Sequence, residues 1–313
     1  MSQKPEKPRT GNRDDLRIET SRCLRVRFNG SRCDHCCTVC PADAVSLDDG
    51  LAINSDSCSG CLLCSSVCPS GALEFSADFP ACLAQLSKVQ EPVLGCCRTK
   101  DSANGWLPCL GGLSDEHLLL LTHRLSGTVT FNITLCNNCP NSAMLPLLQE
   151  RVAALSDSDS GAGSCTVIMA TAPEQIRYRE ETVDRRSFFK SFRSSLFQTA
   201  AVVLSSTSEQ TEQRSDYSSK RLPTRRKLLQ TLSDSSTDTA LKESIQRRFF
   251  GTVTINENCT ACQGCVAICP TGALRSIGEN QDTAPAFETD RCTACGLCVE
   301  FCLDQAISLD TRQ

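Results

Sequence analysis

Cysteines at 259, 262, 265 and 269, followed by Pro270, spell C-x2-C-x2-C-x3-C-P. The run recurs at Cys58, Cys61, Cys64, Cys68 and Pro69, and again at Cys292, Cys295, Cys298 and Cys302, where Leu303 replaces the proline. A shortened copy sits at Cys33, Cys36, Cys40 and Pro41. Thiolates are soft ligands suited to iron–sulfur clusters. Three of them two residues apart wrap a loop round a cube, each reaching a different iron, which is the ligand pattern of a 4Fe-4S cluster. Zinc prefers two C-x2-C pairs separated by a longer gap. The chemistry written into these runs is therefore one-electron redox chemistry.

The elements that must position these thiolates are short. A β-like segment leads into a run in VTINENC and in LAINSDSC, and a small-residue turn follows Cys-Pro in SGAL (70–73) and TGAL (271–274), with ADAV (42–45) and DQAI (304–307) after the other copies. Small residues inside the loops (Gly264, Ala294, Gly296) let the backbone approach and donate N–H to sulfur. The remaining composition agrees. The chain has 313 residues, 24 of them cysteine, and opens on MSQKPEKPRTGNRDD with no apolar signal core. A disulfide scaffold is typically short and secreted, so metal ligation in a reducing, cytoplasmic setting is expected. No run of eighteen apolar residues predicts a membrane-spanning helix. A net charge of −4 gives no argument for nucleic acid. Aromatics are only 5%, so cores are thin and bound metal is expected to supply part of the folding energy.

Each end of the chain resembles a two-cluster bacterial ferredoxin, an α+β module with pseudo-two-fold symmetry. In that family the fourth cysteine of each run ligates the other cluster. The resemblance implies that Cys259, Cys262, Cys265 and Cys302 hold one cluster and Cys292, Cys295, Cys298 and Cys269 another. In the N-terminal module it implies one complete set, Cys58, Cys61, Cys64 and Cys40. The other set has Cys33, Cys36 and Cys68, because the first position falls on Gly30. Cys37, adjacent to Cys36, and Cys23, ten residues before Cys33, are the candidates for its fourth ligand. Neighbouring side chains rarely reach two irons of one cube, which favours Cys23. A three-cysteine cluster is the alternative.

Between the modules, LPCLGGLSDEHLLLLTHRLSGTVTFN predicts strand, glycine turn, helix and strand, with Ser114 capping the helix and Asp115 and Glu116 in its first turn. Cysteines fall at strand ends, a natural edge for a site in an α/β sheet. This segment resembles the iron–sulfur (delta) subunit of methyl-viologen-reducing hydrogenases, through Cys109-Leu-Gly-Gly-Leu-Ser-Asp-Glu, then Cys136-x2-Cys139, with Cys96 and Cys97 upstream. The resemblance implies a 2Fe-2S cluster held by Cys97 (or Cys96), Cys109, Cys136 and Cys139. The same four cysteines suit zinc. Cys82 and Cys165 read as buried thiols.

The expected fold class is α+β: a disordered tail (1–20), an N-terminal dicluster module (21–80), a small α/β domain (90–170), a long, partly helical or disordered linker (171–250) and a C-terminal dicluster module (251–313). Residues 156–164 read as a loop. Asp184–Lys190 with SLFQTAAVVL imitates a twin-arginine signal but lies inside the chain, so an amphipathic helix is expected, with weak membrane-surface contact as an option. The basic run Lys220–Lys227 reads as a solvated face that can also dock an acidic redox partner, and Arg247–Phe250 as an ordered linker end. His35, His117 and His123 read as structural. No phosphate-binding or dinucleotide motif and no acid/base constellation occurs. The expected function is a polyferredoxin, not itself an enzyme, carrying four 4Fe-4S clusters and serving an anaerobic oxidoreductase such as a hydrogenase or heterodisulfide-reductase-like complex. The alternatives are a maturation factor for a redox enzyme, with clusters structural or sensing, and a redox sensor.

Overall fold

The computed structural model describes residues 14–157, 165–178, 220–277 and 283–311. The twin-arginine stretch, most of the expected loop at 156–164 and the Ser/Thr-rich stretch before Lys220 lie outside these residues.

The first unit runs through strand β1 (Leu16–Ile18), helices α1 (Leu24–Arg27) and α2 (His35–Thr38), strands β2 (Val45–Ser46) and β3 (Ala52–Ile53), helix α3 (Leu63–Val67) and strand β4 (Leu73–Phe75). β1 pairs antiparallel with β4, Leu16 opposite Phe75, and β2 with β3, Val45 opposite Ile53. The expected tail thus ends before Leu16: Leu16 and Ile18 alternate with polar neighbours, and Leu16 is buried, as half-buried strand residues are.

Helix α4 (Phe79–Leu86) starts where the Asp78 carboxylate accepts from the Ala81 N–H at 2.9 Å. It leads into strands β5 (Val93–Cys96) and β6 (Gly105–Leu107), helix α5 (Asp115–Arg124), strand β7 (Gly127–Asn132), helix α6 (Leu145–Asp157) and strand β8 (Cys165–Ala170). The sheet order is β6-β5-β7-β8, all parallel, and the strand, glycine turn, helix, strand expectation appears as β6, Leu110–Gly112, α5 and β7. Its strands β5 and β7 are rich in buried apolar residues, as a sheet covered on its faces requires.

Two helices follow, α7 (Thr224–Ser235) and α8 (Thr239–Phe249). Leu229 and Leu232 on α7, and Leu241, Ile245 and Phe249 on α8, recur at helical spacing and are buried in the core that also holds the first unit and the parallel sheet. The basic run is therefore not a solvated face throughout: Arg225 is buried, with its guanidinium paired to the buried Glu116. Phe249 and Phe250 are core residues rather than the end of a linker.

The last unit carries the same two strand pairs with the halves in exchanged order: β9 (Thr252–Ile255), α9 (Gly264–Ile268), β10 (Leu274–Arg275), β11 (Ala286–Phe287), α10 (Leu297–Phe301) and β12 (Ile307–Asp310). The outer strands β9 and β12 pair antiparallel, as do the inner strands β10 and β11. The described residues thus mix helices with small sheets, an α+β content, and none of their helices is long and apolar enough to cross a membrane.

Candidate metal centres

Three cavities line up with cysteines drawn crosswise from two runs. The first is walled by Cys58, Cys61 and Cys64 together with Cys40. The second is walled by Cys33, Cys36 and Cys23 together with Cys68. The third is walled by Cys292, Cys295 and Cys298 together with Cys269. Each is a small, mostly apolar recess whose polar chemistry is that of its four thiols. The remaining set straddles an exposed loop. Cys262 is exposed and Cys265 buried, and the Thr260 hydroxyl donates to the Asp304 carboxylate at 2.8 Å, tying this loop to the turn after Cys302.

Local backbone geometry explains how such short loops turn. Gly60, Leu62, Ala261, Gln263, Ala294 and Gly296 have φ between 55° and 73°, the left-handed conformation that turns the chain sharply between successive cysteines. The N–H groups of Ala44, Ala294 and Ala306 point at Cys40, Cys292 and Cys302 Sγ at 3.3, 3.4 and 3.4 Å. Ser70 and Thr271 hydroxyls stand 3.7 and 3.6 Å from Cys68 and Cys269 Sγ. Contacts of this kind, N–H and hydroxyl against sulfur, stabilise thiolates that hold a cluster.

Burial raises most of these thiols. Cys64 and Cys298 are pushed up to about 12, Cys33 and Cys265 to about 11, and Cys36 and Cys295 are raised further. Cys269 moves the other way: burial pushes it up, but donors from Thr271, Leu274 and Ala273 outweigh that and bring it below the ordinary thiol value. A thiol must lose its proton to ligate metal, so loading these buried, raised thiols releases protons.

Cys23 had a sequence signal beyond its proximity. Glu19-Thr20-Ser21-Arg22-Cys23 repeats Glu288-Thr289-Asp290-Arg291-Cys292. In both, a single 3-10 turn delivers the cysteine: Cys23 N–H donates to Thr20 O and Cys292 N–H to Thr289 O, each at 3.0 Å. Glu19 and Glu288 N–H bind Ala72 and Ala273 O, each at 2.8 Å. Cys23 occupies the place of Cys292, the first ligand of its run, and residues 24–32 are an insertion before the second. Cys37 instead sets its thiol 3.5 Å from Val45 O.

In the parallel sheet, Cys96 ends β5, Cys109 follows β6 and Cys136 follows β7, so all three meet at the carboxyl edge of the strands. Burial pushes Cys109 up to about 12 and Cys136 to about 11, and the charge of Cys96 adds to both. Cys96 is buried and Cys97 exposed, so it is Cys96 that the fold brings to Cys109 and Cys136; Cys139 lies beside Cys136 and Cys97. Asn141 Nδ2 and Thr99 Oγ1 each lie 3.7 Å from a sulfur, Cys109 and Cys96 respectively. Gly111 joins this edge to the first cavity, because a Cβ there would lie 2.3 Å from Cys61 O. Cys82 and Cys165 are buried.

His117 is structural: its Nδ1 accepts from the Ser114 N–H at 3.3 Å, and the ring packs against Phe75 and Phe79 with centroids 5.0 and 4.5 Å away. His35 opens α2 and lines the second cavity.

Residues 252–303 match the family described as "4Fe-4S dicluster domain", and residues 51–74 the family described as "4Fe-4S binding domain". The chain is similar to Hydrogenase-4 component A of Escherichia coli (strain K12), 46% identical over 46 residues, covering 14% of this chain and 22% of that protein. It is also similar to Formate hydrogenlyase subunit 2 of the same strain and of Shigella flexneri, 41% identical over 68 residues, covering 18% of this chain and 34% of each relative. The chain therefore spans between 22% and 34% of these relatives' length. It carries two 4Fe-4S ferredoxin-type domains.

Proposed function

We propose that the chain is an electron-transfer polyferredoxin that relays electrons through four 4Fe-4S clusters to or from an anaerobic oxidoreductase complex, of the hydrogenase or heterodisulfide-reductase kind. The observation that carries this reading is the crosswise lining of three cavities by four cysteines each. When bound there, a cubane cluster supplies one-electron chemistry at a potential set by its hydrogen bonds and solvent exposure. The ligand sets are then Cys40/58/61/64, Cys23/33/36/68, Cys269/292/295/298 and Cys259/262/265/302. A further centre, read as 2Fe-2S, is assigned to Cys96, Cys109, Cys136 and Cys139. The chain's own part is to exclude water with Leu62, Leu73, Leu274 and Leu297, and to aim N–H groups at sulfur. The similarity to subunits named for hydrogenase and formate hydrogenlyase supports a redox-complex partner.

Iron and acid-labile sulfide analysis of anaerobically purified protein, with EPR during stepwise reduction, tests this. About sixteen to eighteen irons with interacting cubane signals are expected. About eight irons with zinc making up the rest would sink the relay and leave one ferredoxin module on a zinc-stabilised binding protein.

A further inference from the structure

The insertion that separates Cys23 from Cys33 has a partner. Leu24, 1% exposed, lines the cavity of Cys23, Cys33, Cys36 and Cys68. Leu297, 0% exposed, lines the cavity of Cys269, Cys292, Cys295 and Cys298. These two leucines and Ile268 form one buried cluster, against which Cys33 packs from one module and Cys295 from the other. Around it the insertion grips the C-terminal module. The Phe28 ring meets Phe301 edge-on at 5.2 Å, Arg27 Nη1 donates to Ile268 O at 3.2 Å, and the Arg32 N–H donates to Glu300 at 3.2 Å. Each phenylalanine rests on a glycine: a Cβ at Gly30 would stand 2.6 Å from the Phe28 ring, and one at Gly264 2.7 Å from the Phe301 ring. The residues that interrupt the first ligand run are thus shaped as a contact surface.

We propose that residues Leu24–Arg32 are an inter-module dock that sets the Cys23/33/36/68 and Cys269/292/295/298 sites back to back, making the two ferredoxin modules one continuous conductor rather than two carriers on a tether. With Gly111 pressed on Cys61 at the far side, the sites fall in one order: the sheet-edge cysteines, the Cys40/58/61/64 set, the Cys23/33/36/68 set, the Cys269/292/295/298 set and the Cys259/262/265/302 set. The three buried residues of the cluster, Leu24, Ile268 and Leu297, are all aliphatic, with Cys33 and Cys295 packed against them.

The proposal rests on the sites being iron–sulfur sites, and the test separates the two. Wild-type chain, Phe28→Asp, Phe28→Leu and the double variant Arg27→Ala/Glu300→Ala are prepared anaerobically, assayed for iron, fully reduced and examined by EPR for spin relaxation and line splitting. At unchanged iron, Phe28→Asp is expected to relax several-fold more slowly and to lose the splitting that exceeds that of two independent two-cluster modules. Phe28→Leu, which keeps an apolar contact, is expected to behave as wild type. Should Phe28→Asp lose iron, the double variant, which cuts only the polar ties, carries the comparison and is expected to shift the same way. Full iron with identical spectra in all variants would overturn the proposal alone. A wild-type chain without cubane iron would overturn it together with the reading it rests on.

Discussion

Cys23 and Cys37 compete for one ligand position, and their surroundings differ. Cys23 is delivered to the second cavity by the same turn that delivers Cys292, whereas Cys37 faces Val45 O. Cys23→Ser is expected to cost the chain about one cluster's worth of iron, or to leave a three-iron signal, while Cys37→Ser retains all of it; iron analysis of the two variants decides. A second pair of neighbours, Glu116 and His117, contributes to the acid response. Burial pushes the Glu116 carboxyl up, but Arg225, Arg226 and the Ser114 hydroxyl outweigh it and hold the group at about 2, below the ordinary value of 4.5. Burial holds His117 neutral, down to about 3 from 6.5. Both folded values lie below the unfolded ones, so the unfolded chain takes up protons first and stability falls as pH falls. His117 contributes to the decline from about 6.5 downward, and Glu116 between about 4.5 and 2. His117→Asn is expected to flatten the upper part of a plot of melting temperature against pH and Glu116→Gln the lower part.

Two elements carry more than their length suggests. The Leu110–Gly112 turn lies so close to the Cys58–Cys64 loop that Gly111→Ala must push Cys61 O or Met144 aside. A cost of about 1–3 kcal/mol is expected, read as a lower midpoint of thermal unfolding, with the first cavity's cluster signal broadened before the others. Helix α7 begins at Pro223, which offers no capping side chain, and Glu74 of β4 supplies the cap by accepting from the Thr224 N–H at 2.5 Å. The next residue, Arg225, donates to Glu116 at 3.0 Å, to Ser65 O at 3.1 Å and to Cys68 O. Arg225→Leu leaves the Glu116 carboxylate short of a partner and is expected to cost about 3–5 kcal/mol, seen as early proteolytic cleavage around α7. The cysteine runs, the glycine turn and α5 were legible in the sequence because ligand spacing and capping are local rules. The dock and the α7 anchor were not. A guanidinium run reads the same whether it meets water or a buried carboxylate 109 residues away, and Gly30 reads as a missing ligand until Phe28 is seen lying over it.

At the scale of the molecule, one core serves the first unit, the parallel sheet and the α7–α8 pair, while the last unit has a small core of its own and the shared leucine wall. Denaturant is therefore expected to separate the signals: the Cys259/262/265/302 site, with Cys262 exposed, loses its cluster first, ahead of any loss of α-helical circular dichroism. The anchoring of α7 has a consequence in time. A ribosome makes the first unit and the sheet well before it makes Arg225 and Arg226, and until they arrive Glu116 has neither guanidinium beside it. The half-made protein holds an acid waiting for its base, above a face that Leu229 and Leu232 have yet to cover.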